Sequence, residues 1–147
     1  MHIHKFILTI LLTYILTASF GQSHKAIKEY EQLITGSWKV DTILMKDGLQ
    51  LGEYYDLYVE KFKEIKERTL FTFETNKTYK KEGLNGISKT GKWKISPEGK
   101  RIIVKMDDND KEEESKIIKL TADTLIITPL EESSNSKVIL YKFVGDE

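Results

Sequence analysis

Gly91-Lys92-Trp93-Lys94-Ile95-Ser96-Pro97-Glu98-Gly99-Lys100-Arg101-Ile102-Ile103-Val104-Lys105-Met106 reads as strand, turn, strand. In its first part Trp93 and Ile95 fall on one side and Lys92 and Lys94 on the other, the period of two that a half-buried strand requires. Pro97-Glu98-Gly99-Lys100 then supplies turn chemistry, since proline presets its own backbone angle and glycine tolerates the left-handed one. A link this short joins antiparallel neighbours, because a parallel crossover needs about a dozen residues or more. The stretch predicts a hairpin, and the fold follows from how often that pattern recurs.

It recurs on both sides. Upstream, Gly36-Ser37-Trp38 opens a run in which Trp38, Val40, Thr42 and Leu44 alternate with Lys39, Asp41, Ile43 and Met45. Leu70 to Glu74 carries Phe71 and Phe73 on one face, and Thr78 to Glu82 carries Tyr79. Downstream come Ser115 to Leu120, Thr124 to Thr128 and Val138 to Val144, which brings the total to eight runs. Asn76-Lys77, Asn85-Gly86 and Ala122-Asp123 are further short links. The expected fold is mainly β, an eight-stranded antiparallel up-and-down barrel, because closure removes the exposed edges an open sheet would leave. Alternation directs Trp38, Phe71, Phe73, Tyr79, Trp93, Tyr141 and Phe143 inward. A barrel of this size is either filled by side chains or holds one small ligand.

The first connection departs from the pattern. After the turn Asp47-Gly48 the period changes from two to about 3.6, with Leu51, Tyr54, Tyr58, Phe62 and Ile65 on one side and Glu53, Asp56, Glu60, Lys63 and Glu67 on the other. This predicts an amphipathic helix of roughly four turns. As a plug it would complete the core. As a lid it would cover a cavity, and Tyr54, Tyr55 and Tyr58 would offer apolar rings with hydroxyl tips at the mouth.

The ends and the composition bound the setting. His2, His4 and Lys5 precede an apolar run from Phe6 to Leu12 that continues through Tyr14, Ile15 and Leu16, and Ser19 and Gly21 occupy the small-residue positions of a cleavage site. Residues 1–21 therefore read as a secretion signal, too short for a stable spanning helix, and residues 22–147 as one exported domain starting at Gln22. The expected location is periplasmic or secreted. The absence of cysteine excludes disulfides, thiolate metal sites, cysteine nucleophiles and a lipid-modified cysteine at the cleavage site. The balance of 23 basic and 23 acidic residues leaves no electrostatic footprint for nucleic acid.

Reactive chemistry has little to work with. His24 is the histidine left after cleavage, near the new terminus, so no histidine base or ligand is expected inside the fold. Asp107-Asp108-Asn109-Asp110-Lys111-Glu112-Glu113-Glu114 has the composition of a calcium loop, but Lys111 stands where an oxygen ligand belongs and the glycine is missing. It reads as a solvated hairpin loop. Asn76-Lys77-Thr78 fits the glycosylation pattern and equally an ordinary turn. No cofactor, no metal and no enzymatic activity are expected.

A helical lead-in at Ala26 to Ile34, Gly36-Ser37-Trp38 at the first strand, a long first connection, and Gly91-Lys92-Trp93-Lys94-Ile95 before a Pro-Glu-Gly turn together resemble the lipocalin-like domains of small exported bacterial proteins. The resemblance covers nearly all of the mature chain. It implies a closed barrel end built on Gly36 and Trp38, with the long first loop over the open end. In lipocalins an arginine from the last strand usually covers that tryptophan; here the last strand offers Lys137 and Lys142. The middle family motif with its Thr-Asp pair is not recognisable. Two functions stay open. One is a binding protein enclosing a small apolar or amphipathic ligand against Tyr54, Tyr58, Phe62, Phe71, Phe73, Tyr79 and Trp93. The other is a filled barrel that docks another exported protein, with a carboxylate-based hydrolase a distant third.

Overall fold

A computed structural model describes residues 25–44, 56–83, 86–130 and 136–144, apart from the side chains of 56–59. A helix, α1 (residues 25–34), leads into β1 (Gly36–Leu44), and a second helix, α2 (Asp56–Arg68), precedes β2 (Leu70–Phe73). There follow β3 (Thr78–Glu82), β4 (Ser88–Ile95), β5 (Arg101–Met106), β6 (Glu112–Leu120), β7 (Thr124–Pro129) and β8 (Lys137–Phe143). Each strand pairs antiparallel with the next, and β8 closes back on β1 to complete an eight-stranded barrel. The short turn-rich links make that order the natural one.

Two turns at the closed end use a residue in the left-handed conformation. In the link after β4 the Gly99 amide bonds the Ser96 carbonyl and Gly99 takes φ +71°, while the buried Ser96 hydroxyl accepts from the Lys100 and Arg101 amides. Between β2 and β3 the same left-handed position falls on Lys77, at φ 68°, an uncommon place for a side chain with no local hydrogen bond to offer the backbone. Asn76 supports it by accepting from the Thr78 amide.

Where the inward face differs from simple alternation, a β-bulge or a strand phase is the cause. On β1 the register with β8 skips Asp41, so Val40 faces Leu140 and Thr42 faces Ile139. One extra residue reverses every later side chain, and Ile43, not Thr42 or Leu44, joins the core. A second irregularity between Ile117 and Lys119 brings both Ile117 and Leu120 to the core and leaves Ile118 outside. On β8 the expected inward aromatics point out: Tyr141 is exposed, and Phe143 lies under the Lys39 ammonium. Val138, Leu140 and Lys142 take the inward phase instead. Ser88 to Thr90 and Glu112 to Glu114 belong to strands although they carry polar groups on both faces, which is why the sequence pattern misses those strand ends.

The core is concentrated at the barrel end where β1 begins and β8 ends. Ile34, Trp38, Leu125 and Leu140 are fully buried there, and α1 lies across the opening. Its Tyr30 ring is the neighbour of Gly99 in the β4–β5 turn, and its Glu31 pairs with Lys77 of the β2–β3 turn at 2.6 Å. The other end, where β1 stops and β2 starts, is reached by α2, whose Phe62 and Ile65 pack against the core.

A cavity in the open half of the barrel

The closed end explains why the rest of the interior can stay open. Trp38 donates its indole Nε1–H to the Ile34 carbonyl at 2.7 Å, and Lys142 donates to the Leu33 carbonyl at 3.1 Å. Both thereby satisfy carbonyls that the end of α1 would otherwise leave without partners. The Lys142 ammonium also lies 5.3 Å from the Trp38 ring centroid, so lysine here takes the covering position that arginine usually has. Gly36 makes room for it. At φ +132° and with a Cβ position only 2.7 Å from Lys142 Cε, no other residue fits without displacing that stem.

Above this floor sits an aromatic layer. The Phe73 ring meets Tyr79 at 5.2 Å and Trp93 edge-on at 5.5 Å, within the range of favourable ring pairs. Trp93 donates to the Glu74 carbonyl and is roofed by the Lys77 ammonium at 4.2 Å. Tyr79 lies opposite Gly91 on β4, where a Cβ would stand 2.4 Å from the Lys105 carbonyl oxygen. That glycine lets β4 and β5 approach closely.

Beyond the aromatic layer the barrel is hollow. An inner lobe of about 400 Å³ is lined by Phe71, Phe73, Tyr79, Val104, Ile127 and Leu140 among others, and an outer lobe of about 490 Å³ by Val40, Ile43, Ile65, Met106 and Lys89 among others. The lobes meet at Phe71, Lys81, Glu113 and Val138, which line both. Each lobe falls within the size range of small-molecule pockets, roughly 300 to 1,000 Å³. The walls are mostly apolar and the polar residues few: Tyr79, Glu114 and Ser115 in the inner lobe, Lys81 and Glu113 at the junction, and Thr69 and Lys89 in the outer lobe. Burial, with the Glu113 charge adding to it, holds the Tyr79 hydroxyl far above its ordinary pKa, so the phenol remains a neutral hydrogen-bond donor.

The residues expected to form a site are placed unequally. Phe71 lines both lobes, and Phe73 and Tyr79 line the inner one. Phe62 packs against the core without lining either, and Trp93 lies in the layer beneath. Tyr54, Tyr55 and the Tyr58 side chain lie outside the described residues. Sequence reasoning missed Lys81, Glu113, Ser115 and Val138. The phase of β3 could have supplied the first, since Lys81 is two residues after Tyr79 and therefore on the same face.

The acidic loop after β5 is spent on its surroundings. Asp107 accepts from the Thr90 hydroxyl, Asp108 pairs with Lys89 and Asp110 with Lys105. Among the described residues no group of histidine, cysteine, aspartate or glutamate is arranged to hold a metal ion.

A closed eight-stranded meander with a sealed end, a helix-bearing first connection and an interior cavity defines the cup-shaped barrels of the lipocalin class. The lipocalin-like domain family matches residues 34–127, and the chain belongs to that family. Among curated proteins none matches. Solved structures share the fold, three of them as follows. A lipocalin-like protein from Bacteroides uniformis ATCC 8492 is 16% identical with a TM-score of 0.53, covering 76% of this chain and 99% of its own. A DUF4847-family protein from Bacteroides vulgatus ATCC 8482 is 14% identical with a TM-score of 0.57, covering 78% and 96%. A protein from Bacteroides eggerthii DSM 20697 is 12% identical with a TM-score of 0.52, covering 75% and 99%.

Proposed function

We propose that this chain is an exported, non-enzymatic binding protein whose barrel encloses one small apolar or amphipathic molecule. The observation that carries the reading is the two-lobed cavity, apolar along its walls and polar where the lobes join. A filled barrel would have no such space, and its function would have to lie on the outer surface. The leader-like residues Phe6 to Leu16, followed by Ser19 and Gly21, support export. Catalysis by paired carboxylates finds no support among the described residues. Glu113 and Glu114 both border the inner lobe, but Glu114 is bound to Arg101 at 2.7 Å and alternates with Glu113 along one strand.

Native mass spectrometry of the protein recovered from its own host tests both parts. The expected mass is that of residues 22–147 plus one small molecule. Retention of Met1 would remove the export claim. In parallel, the neutral fluorophore N-phenyl-1-naphthylamine should bind the protein, and Val138→Trp, which puts bulk where the lobes meet, should weaken it by about tenfold or more while the melting transition stays cooperative. Unchanged binding in that variant would place the probe elsewhere and sink the enclosed-ligand reading.

A further inference from the structure

Lys81 and Glu113 are charged, line both lobes, and form no ion pair with each other or with any other described residue. The Lys81 ammonium lies 5.6 Å from the Phe71 ring centroid, whereas several nearby lysines are paired with carboxylates. Lys80 pairs with Glu74, Lys89 with Asp108, Lys94 with Glu112 and Lys105 with Asp110. The register keeps the two apart. Lys81 on β3 stands between Phe71 and Lys89 of the adjoining strands, Glu113 on β6 stands opposite Val104, and β4 and β5 separate them along the wall. Deeper in the cavity, Tyr79 is only 5% exposed, and its hydroxyl has no hydrogen-bond partner among the described residues. No buried side-chain polar atom among the described residues lacks a partner, so this hydroxyl is reached by solvent and faces the cavity as an open hydrogen-bonding position.

A head group placed where the lobes join takes water from Lys81, which is half-buried, and from Glu113, which is exposed in the free protein. A charge that loses water without gaining a partner is strongly unfavourable. A simple anion would satisfy Lys81 and Tyr79 but meet the Glu113 carboxylate. A simple cation would satisfy Glu113 but meet Lys81. An uncharged ligand that reached the junction would leave both unsatisfied, so a wholly apolar probe is held by the apolar walls alone. We infer that the cavity selects an amphiphile of zero net charge whose head group carries both signs, its anionic part on Lys81 and Tyr79 and its cationic part on Glu113. Lys81 and Glu113 are then the specificity-determining residues, and the apolar tail occupies the walls around Phe71, Val104 and Leu140. Because burial and the Glu113 charge raise its pKa, the Tyr79 phenol is protonated at neutral pH and can donate to the anionic part. This inference rests on the binding reading above and refines it.

The test uses the mature protein and three amphiphiles with the same tail, each below its critical micelle concentration: dodecylphosphocholine, dodecanoate and dodecyltrimethylammonium. Calorimetry at neutral pH should show the phosphocholine binding about tenfold or more tightly than either singly charged compound. Glu113→Gln should tighten dodecanoate and Lys81→Met should tighten dodecyltrimethylammonium, each closing most of the gap, with circular dichroism unchanged. Dodecanoate binding as tightly as the phosphocholine, or an order of preference that neither variant alters, overturns the inference. If N-phenyl-1-naphthylamine binds but none of the three amphiphiles does, the head-group assignment falls and the binding reading stands. If nothing binds, both fall.

Discussion

At the scale of single residues, three side positions hold the closed end. Trp38 is fully buried and bonded to Ile34, so Trp38→Ala removes a large packed ring and an indole donor together. The expected loss is about 3 to 5 kcal/mol, a large share of the stability of a small domain. Lys142→Met keeps the stem but removes the bond to Leu33 and the charge over the ring. It should cost about 1 to 3 kcal/mol. Chemical denaturation with matched slopes measures both; a Trp38→Ala midpoint close to the parent would mean that the tryptophan is peripheral. Gly36 and Trp38 were legible because a glycine two residues before a tryptophan at a strand start is a recognisable pattern. Lys142 was visible only as one of two candidates. Its role depends on the phase of β8, and Val138 to Val144 is apolar at nearly every position, so alternation cannot tell inside from outside there. The size of Tyr141 and Phe143 suggested the wrong phase.

At the scale of elements, three carboxylates with lowered pKa sit in turns at the closed end. Glu74 is held below its ordinary value of 4.5 chiefly by the hydrogen bond from Lys80. Glu98, also below 4.5, is held by its own backbone amide and by Ser96. Asp123 is held below 3.8 by the Thr121 and Thr124 hydroxyls. A carboxyl whose folded pKa is depressed contributes stability that is present above its unfolded pKa and is lost as pH falls through the folded one. The melting temperature should therefore hold steady above about pH 5 and decline below about pH 4. A Glu74→Gln, Glu98→Gln, Asp123→Asn triple variant should start lower at neutral pH and decline less steeply in acid. Parallel acid profiles for the two proteins would show that these turns do not contribute. The strands and most turns were readable in advance from their two-residue period and their Gly, Pro and Asn punctuation. The bulges at Asp41 and Ile118 were not, since an extra residue in a strand changes register without changing composition.

Across the whole molecule the barrel divides into a packed half and a hollow half. Ile34, Trp38, Leu125 and Leu140 are completely buried toward α1, whereas Lys81, Met106, Glu113 and Val138 border open space toward α2. The sequence could show that large side chains turn inward, but whether they fill the barrel depends on their depth. Trp93, Phe73 and Tyr79 crowd into one layer, so the interior above it stays unfilled. Local opening costs least where few apolar contacts must be broken. Amide exchange in the protein without ligand should therefore be slowest in the strand segments around Trp38, Trp93, Leu125 and Leu140, and faster around Lys81, Met106 and Val138. A bound amphiphile changes the second group. At about a hundredfold excess over its dissociation constant a ligand stabilises the folded state by about 2.7 kcal/mol, and that stabilisation should appear as slower exchange at the open-end segments first, with the closed-end amides changing only as far as global unfolding limits them. Protection that is uniform before binding, or that rises first at the closed end, would mean that the cavity is not where the ligand sits and that the barrel behaves as one evenly packed unit.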